Sequence, residues 1–174
     1  MTPAIWIVLL ACGIAAATDI AARRIPNLVT LALAIAALAV NAMQGWTHLA
    51  IAIAVLVGVT LLGFGAFSAG WLGGGDVKLL AAASAALGLP DAVDFLLYTS
   101  LAGGLLAIAV ALFTGRLRST YDNVSLLLRP IAYRGTVSVA PSSAFMLPYA
   151  VAIGCGAVLV ALSHTAAPYL RLPL

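Results

Sequence analysis

The stretch GWLGGGDVKLLAAASAALGLP, Gly70–Pro90, decides the fold. An apolar chain is interrupted by three consecutive glycines, an acid at Asp76 and a base at Lys78, and then returns to an alanine- and leucine-rich run that stops at Pro90. Between Lys78 and Pro90 that run, Leu79–Leu89, amounts to about 17 Å of helix. The hydrocarbon core of a bilayer is roughly 30 Å thick. The run therefore predicts a helix that enters the bilayer with Gly73–Lys78 already sunk into it, or one that crosses where the protein thins the membrane. Both arrangements put Asp76 at or within the edge of the apolar zone, where an ionisable side chain is expensive and leans functional.

The rest of the chain agrees that the solvent is lipid. Its 174 residues are 64% hydrophobic and 7% charged, with a mean hydropathy of +1.18, whereas a soluble domain carries about 25% charged residues. One compact helical bundle, a single domain over 1–174, is the size that fits. The net charge of +3 is no nucleic-acid footprint, because basic residues in a membrane protein mostly report topology. Cys12 and Cys155 sit in separate apolar runs with no CxxC between them, so they read as small core residues and not as zinc ligands. LLAC at Leu9–Cys12 resembles a lipoprotein cleavage box, but no basic segment precedes it. Met1–Ala22 reads instead as an uncleaved first span. No metal and no cofactor is expected.

Working outward, the pattern predicts an all-α membrane bundle of six spans: Ala4–Ala22, Leu28–Met43, His48–Phe67, the short Leu79–Leu89 run, Ala92–Thr114 and Ser143–Ser163. Pro26 breaks the chain after the first span. Gly115–Ser142 forms a longer loop whose Leu, Tyr and Arg content suits the membrane surface. Arg23, Arg24, Lys78, Arg116, Arg118, Arg129 and Arg134 all fall on alternate connections, and only Arg171 breaks the pattern. The positive-inside rule then puts those connections in the cytoplasm and both termini outside.

The acids carry the chemistry. The chain has five acidic residues, all aspartate. Asp91 and Asp94 follow Pro90 in an outer turn, where Asp91 suits a helix cap; Asp122 belongs to the polar loop. Asp19 and Asp76 remain, both bordered by apolar sequence at cytoplasmic span ends. Taken singly, Asp19 could be an i,i+4 ion-pair partner of Arg23, and Asp76 with Lys78 could be interface anchors. Taken together, the topology brings them to one membrane face at one depth. Two carboxylates that face each other hold one proton between them, so one serves as general base toward water and the other as general acid toward a scissile carbonyl. A protease must grip an extended backbone, and Gly73–Gly75 read as a flexible wall that lets a substrate strand approach. The stretch satisfies neither GxGxxG nor a Walker loop.

These residues resemble a known family. TDIAARRIPN, Thr18–Asn27, looks like the first catalytic motif of the type IV prepilin leader peptidases. GGGDVK, Gly73–Lys78, looks like their GxGD motif, and MLPYAVAIGCGA, Met146–Ala157, is similar to the stretch opening their last span. The resemblance implies a membrane-embedded aspartic endopeptidase of the bacterial cytoplasmic membrane. Such an enzyme removes basic leaders from prepilins and pseudopilins on the cytoplasmic side, before the substrate's hydrophobic stretch. It implies Asp19 and Asp76 as the catalytic pair, with Gly73, Gly74, Gly75, Lys78, Arg23, Arg24, Ile25, Pro26 and Asn27 as positioning residues. Larger members carry an N-methylating domain with a cysteine cluster. No such cluster stands here, so peptidase without methyltransferase activity is expected. The compact form is similar to the peptidases of tight-adherence (Flp pilus) systems.

Two other readings stay open: a small proton-coupled transporter or channel using the aspartate pair, and a non-catalytic subunit of a pilus or secretion assembly. Trp6, Trp46 and Trp71 suit an aromatic belt. His48 and His164 read as unpaired residues at span ends.

Overall fold

The computed structural model describes residues 2–113 and 149–170. The loop Gly115–Ser142 with its arginines and Asp122, Pro148 and Arg171 lie outside the described residues. Six helices account for nearly all of the described chain: α1 (Pro3–Ala22), α2 (Asn27–Gln44), α3 (Trp46–Ser68), α4 (Gly74–Leu87), α5 (Asp91–Phe113) and α6 (Tyr149–Leu170). Four of them, α1, α2, α3 and α5, are long and apolar enough to cross a membrane.

Local chemistry explains the boundaries. Pro3 opens α1, where its missing N–H costs nothing. Arg23 ends the helix in the left-handed region, at φ 50°, and its N–H bonds the Asp19 carbonyl at 2.8 Å. Pro26, with extended dihedrals, then caps α2. Gly45, at φ 121°, is the whole connection between α2 and α3, so these two are forced to pack as neighbours.

One compact unit comprises residues up to Gly103 together with α6, and the described residues of the other unit are the end of α5. Within the first unit α4 is central, packed against α1, α2, α3 and α6. Val77 and every residue from Leu79 to Ala86 are buried, whereas only Ala52 of α3 is. The outward surface is dominated by large apolar side chains such as Leu28, Leu61, Leu62, Phe64 and Leu105, as expected where the solvent is hydrocarbon. Packing of this kind relies on small residues that let backbones approach. A Cβ added to Gly63 of α3 would come within 2.6 Å of Val77 on α4. Asn41 ties α2 to α4 through Nδ2, which donates to the carbonyls of Ala37 (2.8 Å) and Ala85 (3.2 Å).

The fourth helix departs from the sequence expectation. Gly74, Gly75 and Asp76 are not a loop leading into it; they form its first turn, after Gly73 as N-cap. The glycines are poor helix formers. An aspartate in the first turn offsets that by facing the positive end of the helix dipole, and the flanking helices supply the rest. At 14 residues, about 21 Å, α4 is still shorter than a bilayer core. Its amino end therefore lies where neighbouring helices, rather than lipid, can surround its free N–H groups. The last helix also runs beyond the expected Ser163, to Leu170.

Candidate active site

Asp19 stands on the last turn of α1. Its carboxylate is half-buried, and Oδ2 accepts a hydrogen bond from the Ala150 backbone N–H of α6 at 3.3 Å. The expected local alternative, an ion pair with Arg23, does not form. Arg23 is used as the helix terminator, and both it and Arg24 are exposed. Thr18 is occupied locally, with its hydroxyl donating to Ile14 and Ala15 carbonyls.

Asp76 is the third residue of α4, and its carboxylate turns back toward the backbone of the cap residue Gly73. That is the acidic half of a capping box. The geometry separates the three glycines. A Cβ on Gly73 would lie 2.9 Å from Asp76 Oδ2, and one on Gly75 would lie 3.1 Å from Ile25 Cβ. One on Gly74 would make only ordinary contact, 3.6 Å from the Phe67 ring. Gly73 leaves room for the carboxylate, and Gly75 leaves room for the loop between α1 and α2. Neither adopts a positive φ, so close approach is the reason for glycine here, not loop flexibility.

The two motifs, distant in sequence, lock together. Ile25 seats on Gly75, and Lys78 Nζ donates to Asn27 Oδ1 at 3.0 Å. Pro26 fixes the turn between those two contacts. The ends of α1 and α4 are thereby held side by side, with Asp19 on the last turn of the one and Asp76 on the first turn of the other. Burial at this end is partial: Asp19, Gly74, Gly75 and Asp76 are half-buried, while Gly73 and Lys78 are exposed. Two carboxylates at one site, one ionised and one protonated, are the groups that can activate water and protonate a carbonyl oxygen in one step. Among the described residues no group of three His, Cys, Asp or Glu side chains converges.

Two features escaped the sequence reading. His164 is not unpaired: its Nε2 lies 2.8 Å from Asp91 Oδ2, joining α6 to the start of α5. Asp91 and His164 form the only acid–base ion pair among the described residues. The second feature is Tyr149, whose ring lies against Gly103 of α5. The stretch around it stands out in the sequence, but nothing local to it reveals a contact on α5.

Residues 6–108 match the family model of the type IV leader peptidases. The matched stretch contains both aspartates and both motifs. No curated protein and no solved structure matches the chain.

Proposed function

The chain belongs to the type IV leader peptidase family, and from that premise we propose that it is a membrane-embedded aspartic endopeptidase in which Asp19 and Asp76 are the catalytic pair. The observation that carries this reading is the locking of two separate motifs, Ile25 against Gly75 and Lys78 Nζ on Asn27 Oδ1 at 3.0 Å, which brings together the helix ends that bear Asp19 and Asp76. Gly73, Gly75, Ile25, Pro26, Asn27 and Lys78 are the residues that hold that junction. Gly74 completes the turn, and Arg23 and Arg24 end the first helix.

In the reaction, the ionised carboxylate accepts a proton from a water molecule as its oxygen attacks the scissile carbonyl carbon. The protonated partner gives its hydrogen to the carbonyl oxygen. Collapse of the tetrahedral intermediate breaks the carbon–nitrogen bond: the proton taken from water passes to the leaving amine, and a hydroxyl of the intermediate returns its hydrogen to the other carboxylate as the carbonyl re-forms. The roles exchange, and the pair regenerates with one proton shared. The substrate class is a prepilin or pseudopilin with a basic leader followed by a hydrophobic helix, of the Flp type, cut on the cytoplasmic side of the bacterial inner membrane. Six spans with both termini outside suit the distribution of Lys and Arg along the sequence. Methylation of the product is not part of the proposed activity.

Co-expression with a Flp-type prepilin tests this. The parent chain is expected to increase the gel mobility of the substrate, and D19N and D76N are each expected to abolish the shift while remaining in the membrane. Processing that persists in either variant contradicts the assignment.

A further inference from the structure

An apolar pocket of about 130 Å³ adjoins the turn that carries Asp76. Val59 and Leu62 of α3, Leu72 of the link before Gly73, Leu80 of α4 and Leu96 of α5 line it, and no polar side chain does. A buried water needs polar partners, and a cavity of about 150 Å³ lined by aliphatic and aromatic side chains stays dry and takes up a benzene-sized guest. The pocket therefore suits an apolar side chain of leucine or phenylalanine size. Close packing fixes one wall. A Cβ on Gly63 would lie 2.6 Å from Val77 Cγ1, so Val77 rests directly on the α3 backbone.

The helix sets the place of the pocket relative to the acid. Leu80 is four residues after Asp76, so it shares that face of α4 and lies about 6 Å further along the axis. Leu72 and Val77 flank the Gly73–Asp76 turn on either side in the chain. In the proposed orientation the pocket thus lies beside Asp76 toward the bilayer interior. A second groove, on the α2 side of α4, is lined by the polar side chains of Asn27, Thr30, Thr60 and Lys78 and suits such a guest less.

We infer that the pocket beside Asp76 is a specificity subsite that takes the apolar side chain of the substrate residue following the cut. The inference deepens the peptidase reading and, for its kinetic half, rests on it. A basic leader offers nothing that an apolar pocket favours, whereas the residue after the cut opens the hydrophobic segment. An extended residue advances about 3.3 Å, and its side chain supplies the remaining reach to the depth of Leu80.

Synthetic prepilins with Ala, Leu, Phe or Asp after the cut test this in detergent. The parent chain is expected to favour Leu and Phe over Ala by about tenfold or more in kcat/KM, with Asp lower still. V59F fills the pocket from α3 and is expected to bring the Leu-to-Ala ratio down to about twofold or less. V59A enlarges the pocket and is expected to raise the Phe-to-Leu ratio by about fivefold or more. L61F, on the same helix but outside the pocket, keeps the parental ratios. A docking measurement needs no cleavage: D76N protein mixed with a prepilin that carries a diazirine analogue of leucine after the cut is expected to crosslink at Val59, Leu62 or Leu96. Parental ratios in folded V59F and V59A, or a crosslink that is absent or confined to other residues, would overturn the inference and leave the pocket to a lipid chain. A parent chain that cleaves no prepilin refutes the peptidase reading instead, and the crosslink then decides whether the pocket takes this side chain.

Discussion

The two ends of α4 use similar residues for opposite purposes. At the amino end, Asp76 lies in the first turn of α4 and faces another acid, Asp19. Past the carboxyl end, Asp91 lies in the first turn of α5 and faces a base, His164, at 2.8 Å. The glycines divide the same way. Gly88 ends α4 at φ 69° with nothing near its Cβ position, so its backbone conformation asks for glycine. Gly73 and Gly75 have ordinary dihedrals and crowded Cβ positions, so contact asks for it. An acid given a base is a tether; an acid brought beside a second acid is the pair proposed for the chemistry.

That contrast can be broken by mutation. The largest effect separates the aspartates: D76N is expected to lower cleavage by about 10³-fold or more, whereas D91N keeps parental turnover, both read in detergent with a synthetic prepilin. Comparable losses would place the chemistry elsewhere. The glycines come next. G75A forces a neighbouring loop to move and is expected to cost about 1–3 kcal/mol in thermal unfolding together with most of the activity. G74A should be close to neutral in both. G88A strains the backbone and is expected to lower stability by about 1 kcal/mol while sparing kcat. Equal behaviour of G74A and G75A would remove the close-approach explanation.

Smaller effects sharpen the comparison. K78M loses the bond to Asn27, an exposed contact, so stability should change by less than about 1 kcal/mol. Turnover should fall more than that loss suggests, since the bond joins the two motifs. At the other end, H164N removes a partly exposed tether and is expected to cost about 0.5 kcal/mol or less with no change in cleavage. A larger effect of H164N on turnover than of K78M would reverse the assignment of the two ends.

Much of this was legible in the sequence. Apolar run length with Pro26, the Gly45 region and Pro90 places the helices, because a chain in lipid must close its backbone hydrogen bonds within each segment. Asp19 and Asp76 stand out because so few acids occur in so apolar a chain. The start of α4 was not legible: Gly-Gly-Gly reads as a loop from propensity, and only the enclosing helices and the capping position of Asp76 make it a turn of helix. The three glycines are also identical as letters, and their difference lies in what sits opposite each. The pairing of His164 with Asp91 and the seating of the Tyr149 ring on Gly103 join residues far apart in the chain, which no local periodicity encodes.

Asp19 and Asp76 are proposed to share one site, where the charge of Asp19 acts on Asp76. Carbon-13 titration of the aspartate carboxyls tests it without substrate, and five acidic residues make the signals separable. Removing a neighbouring charge changes a carboxyl's titration, so D19N is expected to displace the Asp76 curve. An Asp76 curve that superimposes on the parent's in D19N would contradict the shared site.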